Sequence, residues 1–283
     1  MIRRTQRWVM ACQLTVFQIT IFFLYLLAAV AFATSRLPAY ARQAQPLLIA
    51  ALVLATTGLF LHAQGLYTAI IQSNGLSLTL SNVVSLVALQ LALIGLLGAV
   101  EKTLRGMSAG LILLAALIAL PLSLQGDPAN GTGFSWQLQA HILISIFAYG
   151  LLAVGAIVAG YSLIQNRRLR AGRLSAVNHL FAPLETTEKL LFGITAAGFA
   201  GLAVTIVSGV TFIEDMFAQH LVHKTALSLL ALLVFGILLT GRMFAGWRGR
   251  NATYLYLGGF VILCLAYFGS RFVLEQVLHR SWG

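Results

Sequence analysis

Residues 137–163 read QLQAHILISIFAYGLLAVGAIVAGYSL. No Asp, Glu, Lys or Arg interrupts this run, and it exceeds the roughly 20 apolar residues that a helix needs to cross a bilayer. Seven further apolar runs lie at about 13–34, 47–66, 78–98, 108–124, 190–213, 222–243 and 252–274. A chain built this way satisfies its backbone inside hydrocarbon only as helices. The sequence therefore predicts an all-α fold, a polytopic membrane helix bundle of about eight transmembrane spans, with residues 1–283 forming a single integral membrane domain.

Composition agrees. Of the 283 residues, 59% are hydrophobic and 9% are charged, and the mean hydropathy is +0.91. A soluble domain carries roughly 25% charged residues, so neither a globular soluble fold nor a disordered chain fits. Two cysteines, Cys12 and Cys264, cannot build a disulfide scaffold. No C-x-x-C occurs, which excludes a dithiol pair and a covalent c-type haem attachment site. The net charge of +11 comes from 18 Lys and Arg against 7 Asp and Glu, and the basic residues sit almost entirely in or beside the gaps between apolar runs. Basic residues there set membrane orientation, so the charge does not point to nucleic acid.

Turn signals separate the spans: Pro38 and Pro46, Asn74-Gly75, Arg105-Gly106, and Gln125-Gly126-Asp127-Pro128. The fifth connection, Gln165 to Lys189, is the longest and opens with Arg167, Arg168, Arg170 and Arg173. Connections one, three, five and seven hold 2, 2, 5 and 3 Lys or Arg, whereas the termini and even connections together hold 6. The positive-inside rule then puts the long basic connection in the cytoplasm and both termini outside. Arg3, Arg4 and Arg7 before an apolar run ending Ala31-Phe32-Ala33 resemble a signal peptide, but the run is longer than the usual h-region. It is read as a retained span.

This orientation sorts the six histidines. His141 opens span five at its outer end, His220 and His223 lie in the outer connection between spans six and seven, and His279 follows span eight. His62 sits inside span two near its outer end, and only His179 is cytoplasmic. Imidazoles from different helices can clamp haem iron from both faces. Zinc competes as a reading, because His220 and His223 stand at i and i+3 with Glu214 and Asp215 nearby, although H-x-x-H alone is a weak signal. The blander alternative is hydrogen bonding to headgroups. Arg271, one turn before Glu275, either forms an i,i+4 pair or holds a haem propionate. Trp136 and Trp282 flank His141 and His279 but also suit an interfacial belt. Polar residues of span three (Ser77, Thr79, Ser81, Asn82, Ser85) and the glycines from Gly193 to Gly209 are read as helix packing. The middles of all eight spans lack charge, which disfavours an ion-coupled transporter.

Three stretches resemble the cytochrome c assembly family of CcsA type, and within it the eight-span HemX and YpjD branch. Gln139-Ala-His141 through Tyr149-Gly150 resembles a family helix start that bears one outward-facing haem ligand. Tyr267-Phe268-Gly269 with Leu278-His279 and Trp282-Gly283 resembles the final span, which bears the second. Leu80-Ser81-Asn82 is similar to a Leu-Ser-Asn near the start of the family domain, so the resemblance covers about 76–283. The family's tryptophan-rich platform is missing, because Phe212 to Thr225 contains no Trp.

The resemblance implies a multi-pass protein of a bacterial inner (cytoplasmic) membrane that binds or handles haem for cytochrome c assembly. His141 and His279 would be axial ligands of the haem iron, His62, His220 and His223 alternates, and Arg271 a propionate partner. Without the platform it is expected not to be an enzyme. Its partners would be the lipid bilayer, haem, and cytochrome c maturation or haem-pathway proteins, with no nucleic acid. The alternative is a regulatory or scaffolding membrane protein that acts on a haem-pathway partner through its basic cytoplasmic loop.

Overall fold

The structure, a computed structural model, describes residues 2–72, 75–76, 80–123, 135–171, 183–212 and 222–266. Among the described residues, eight α-helices occupy the eight expected positions: α1 Ile2–Thr34, α2 Ala44–Ile70, α3 Leu80–Gly98, α4 Arg105–Ser123, α5 Trp136–Arg170, α6 Leu184–Phe212, α7 Val222–Ala245 and α8 Gly249–Cys264. A short 3-10 helix, Pro38–Gln43, precedes α2, and two residue pairs form a minimal hairpin, β1 Ile71–Gln72 with β2 Gly75–Leu76. That hairpin stands where Asn74-Gly75 signals a turn.

Six helical segments are long and apolar enough to cross a membrane: Val16–Thr34, Pro38–Ile70, Ser81–Gly98, Trp136–Arg170, Leu184–Phe212 and Lys224–Ala245. The apolar helix Arg105–Ala119 is shorter. The described part of α8 has 16 residues, and the rest of its expected span lies outside the described residues.

Several boundaries differ from the sequence reading, each for a local reason. Pro46 does not close the first connection but sits in the first turn of α2, where a missing N–H leaves no bond unmade. Arg105-Gly106 opens α4 instead of lying between helices. Helix α5 continues past residue 163 to Arg170, with Arg167, Arg168 and Arg170 in its last turn. Cations there meet the negative end of the helix dipole, so the helix need not stop where its apolar run stops.

The chain divides into two compact units, Met1–Phe134 with Arg173–Thr186, and Ser135–Gly172 with Thr187–Gly283. In the first, α1 packs on α2 and α4, and α3 packs on α2 and α4, so the four helices close a ring. Its core holds Tyr25, Phe32, Leu91 and Ile112, all fully buried. In the second, α8 packs on α5 and α7. Small residues make close approach possible: Gly198 of α6 lies under Leu152 of α5, and Gly201 under Ala148.

The surface of α6 inverts the soluble pattern. Val204, Val207 and Val210 are exposed, while Thr187, Thr195, Gly198, Thr205, Ser208 and Gly209 are buried. Small and polar residues turn inward beside Leu191, Ile194 and Leu202 while these valines turn outward, as expected where the surrounding solvent is hydrocarbon.

Two glycines with positive φ, Gly246 (63°) and Gly249 (72°), make the tight connection from α7 to α8. The Gly249 N–H, at the first turn of α8, donates to Oε1 of buried Glu188 at 2.9 Å. This ties the start of α6 to the start of α8. It also sets a carboxylate at a helix N-terminus, where the dipole favours it.

Candidate functional site

The second unit gathers its polar chemistry at the end where α5 begins, α6 ends and α7 begins. His141 lies in the second turn of α5, and its Nδ1 is 2.8 Å from Oγ of Ser208 on α6. The Ser208 hydroxyl donates its proton to the Thr205 carbonyl at 3.0 Å. A hydroxyl has one proton, so only lone pairs remain for the imidazole. With the hydroxyl proton on that carbonyl, a neutral His141 carries its own proton on Nδ1 and donates it to Ser208. Nε2 has no hydrogen-bond partner among the described residues, and in that tautomer it presents a lone pair. An imidazole held by one nitrogen and open at the other is the arrangement that metal-ligating histidines adopt.

Three more features surround this imidazole. Lys224, in the first turn of α7 and half-buried, lies within electrostatic reach of His141. One turn toward the helix ends, Trp136 and Phe212 pair with ring centroids 6.4 Å apart and planes tilted by 56°. Trp136 is 71% exposed and offers a large aromatic face at the rim. The Thr205 hydroxyl, one turn from Ser208, is buried and has no partner among the described residues. A group with an aromatic plane, anionic substituents and a vacant axial position fits this set: Nε2 for the metal, Trp136 and Phe212 for the plane, Lys224 for a carboxylate. Haem has those three properties.

His62 differs. It lies on α2 in the first unit, buried, with Nδ1 3.2 Å from the Tyr25 hydroxyl and Nε2 2.9 Å from Ser85 Oγ. Both ring nitrogens are engaged, so metal ligation there requires breaking one of these bonds. The Tyr25 ring also meets the imidazole edge-on, with centroids 5.8 Å apart. This triad, buried at Tyr25 and His62 and half-buried at Ser85, joins α1, α2 and α3. The polar side of span three, read from sequence as interhelical hydrogen bonding, does that at Ser85.

Of the other expected site residues, His220, His279 and Arg271 lie outside the described residues, as do Glu214, Asp215, His179 and Trp282. His223 has its backbone in the first turn of α7, but its side chain is likewise outside them. Among the described residues, no three or more of His, Cys, Asp and Glu come together as a metal cluster. The sequence reading did not assign Ser208 or Lys224 to this site. The one signal for Lys224 was that it is the sole base of the sixth connection. Ser208 carried no signal of its own, since it falls within a glycine-rich packing stretch.

Comparison with known proteins follows the same lines. The family model described as Cytochrome C assembly protein matches residues 51–278. The match begins within α2, earlier than the 76 expected. The chain is 31% identical over 232 residues to "Inner membrane protein YpjD" of Escherichia coli K12, covering 80% of this chain and 87% of that protein. It is 26% identical over 190 residues to "Cytochrome c biogenesis protein CcsA" of Chlamydomonas reinhardtii, covering 65% and 52%. With the CcsA protein of Trichormus variabilis it shares 26% identity over 100 residues, 35% and 28% of the two chains. No solved structure matches.

Proposed function

The chain belongs to the cytochrome c assembly protein family and is a multi-pass membrane protein, and on that premise we propose that it binds haem at the outer face of a bacterial inner membrane, for cytochrome c maturation or haem traffic. His141 supplies one axial imidazole and His279 the other, with His220 or His223 as its substitute. The observation that carries this reading is that Ser208 engages Nδ1 of His141 while Nε2 has no partner among the described residues. His62 lacks such an opening, which makes it the weaker alternate.

Bound haem would supply a redox-active iron and two propionates. The chain's own residues do the rest. Ser208 fixes the imidazole tautomer, Trp136 and Phe212 shield the ring from water, and Lys224, with Arg271, neutralises propionate charge. The protein carries or presents haem and does not itself form thioether bonds, since the tryptophan-rich platform is missing from 212–225. The basic connections face the cytoplasm, as their Lys and Arg content favours.

The test is the visible spectrum of the detergent-purified full chain after haem addition, oxidised and reduced. A low-spin bis-imidazole spectrum is expected. His141→Ala should weaken it strongly and His62→Ala should leave it in place. If no Soret band forms, or if His141→Ala leaves the band unchanged, the assignment fails and the regulatory-scaffold reading replaces it.

A further inference from the structure

At the opposite end of the second unit, guanidiniums from two packed helices stand near one exposed phenol. Arg167 of α5 and Arg250 of α8 both lie within electrostatic reach of the Tyr254 phenol of α8. The Arg250 guanidinium also lies 5.7 Å from the centre of the Tyr254 ring. All three side chains are exposed. Among the described residues neither arginine has a carboxylate partner, and the carboxylate of Glu188 is spent on the Gly249 N–H. Two like charges thus share one end of the α5–α8 pair with no counter-charge among the described residues, and each guanidinium offers five N–H donors.

The surface alongside is shaped for a chain. On α5, Gly160 and Ile164 precede Arg167 at helical spacing. On α8, Gly258 and Val261 follow Tyr254 in the same way. Gly160 and Gly258 each open onto empty space where a Cβ would stand, while Ile164 and Val261 are both 55% exposed. Helices α5 and α8 pack together, and Tyr256 donates to the Leu152 carbonyl at 2.7 Å. They run antiparallel, so each carries an apolar strip with a missing side chain leading away from the cationic pair.

We propose that Arg167, Arg250 and Tyr254 form a headgroup site for an anionic phospholipid, whose acyl chain lies along the strips that contain Gly160 and Gly258. The phosphodiester accepts from both guanidiniums, which suits the fork geometry of arginine. Tyr254 stands near the two cations and sits at the depth of an interfacial aromatic. A soluble anion would use the charges alone. Only a lipid also uses the apolar strips, and they decide between the two sources.

The experiment uses the full chain in detergent, delipidated and titrated with phosphatidylglycerol, phosphatidylethanolamine or inorganic phosphate, with bound lipid read by native mass spectrometry. Phosphatidylglycerol should bind and the other two should not. Arg167→Gln with Arg250→Gln should weaken phosphatidylglycerol binding about thirtyfold, given the usual attraction of each surface base for anionic lipid. Arg42→Gln with Lys102→Gln, which removes the same charge elsewhere, should not. Gly258→Leu keeps every charge but fills one strip, and it should also lose the lipid. Equal weakening by both charge-neutralising pairs, unchanged binding in Gly258→Leu, or displacement of the lipid by inorganic phosphate would overturn the proposal.

Discussion

Ser208→Ala separates a haem-ligand role for His141 from a merely structural one. The substitution removes the oxygen 2.8 Å from Nδ1 of His141 and nothing else of comparable size. Two costs follow, and their magnitudes differ. As an interhelical hydrogen bond in a membrane, the contact is worth about 0.6 kcal/mol on average, so the fold should survive with a small drop in Tm. As the partner of a metal-bound imidazole, it should be worth more, because loss of such a partner typically lowers affinity about 10- to 100-fold. That is about 1.4–2.8 kcal/mol, several times the packing cost.

The assay is a haem titration followed at the Soret band, run beside a thermal-unfolding scan of the haem-free protein. Ser208→Ala should lose affinity far beyond its loss of stability. Ser208→Thr, which keeps a hydroxyl, should recover most of it. If Ser208→Ala binds haem as tightly as the parent chain, or if affinity falls only in step with stability, then Nδ1 is not held for ligation at Nε2 and the reasoning fails.

Two further outcomes test the frame that carries the site. A Cβ on Gly155 of α5 would collide with the Tyr256 hydroxyl that bonds to the Leu152 carbonyl; Gly155→Ala should therefore cost about 1–3 kcal/mol by overpacking, whereas Gly193→Ala, which meets open space, should leave Tm unchanged or raise it, and equal behaviour of the two would contradict this packing. Reporter fusions after Gly283 and near Arg170 should report opposite sides of the membrane, and the same side for both would overturn the eight-span orientation.

Fold and site were legible in the sequence to different depths. The eight helices follow from apolar run length, because hydrocarbon leaves the backbone no other way to satisfy itself. Helix ends were less legible. Apolarity marks where a helix leaves hydrocarbon, not where its hydrogen bonding ends, so α5 runs on through Arg167 and Arg168 to Arg170. The glycines from Gly193 to Gly209 were read as packing, and Gly198 and Gly201 do lie against α5. His141 was visible as an imidazole near a span end. What made it distinctive, the engagement of its Nδ1 by Ser208, depends on a partner 67 positions away. His62 shows the converse. From sequence it equals any other histidine near the outer ends, yet Tyr25 and Ser85, 37 and 23 positions away, occupy both its nitrogens.

The two ends of α5 explain why one helix can serve both an imidazole site and a cationic one. His141 and Arg167 are 26 positions apart, which at 1.5 Å per residue is about 39 Å. A bilayer's hydrocarbon core is about 30 Å thick, and about 40–45 Å with its headgroup regions. The helix is thus long enough to hold both side chains outside the hydrocarbon, one at each interface. There a histidine can meet a polar ligand and an arginine can stay charged without the cost of burial at mid-membrane. Between them the chain carries no charge, its few polar groups such as Ser145 and Tyr149 bond within the protein, and Ala148, Leu152, Val154, Val158 and Ala159 are all buried. The apolar middle fixes the separation, and the separation sets what each end can bind.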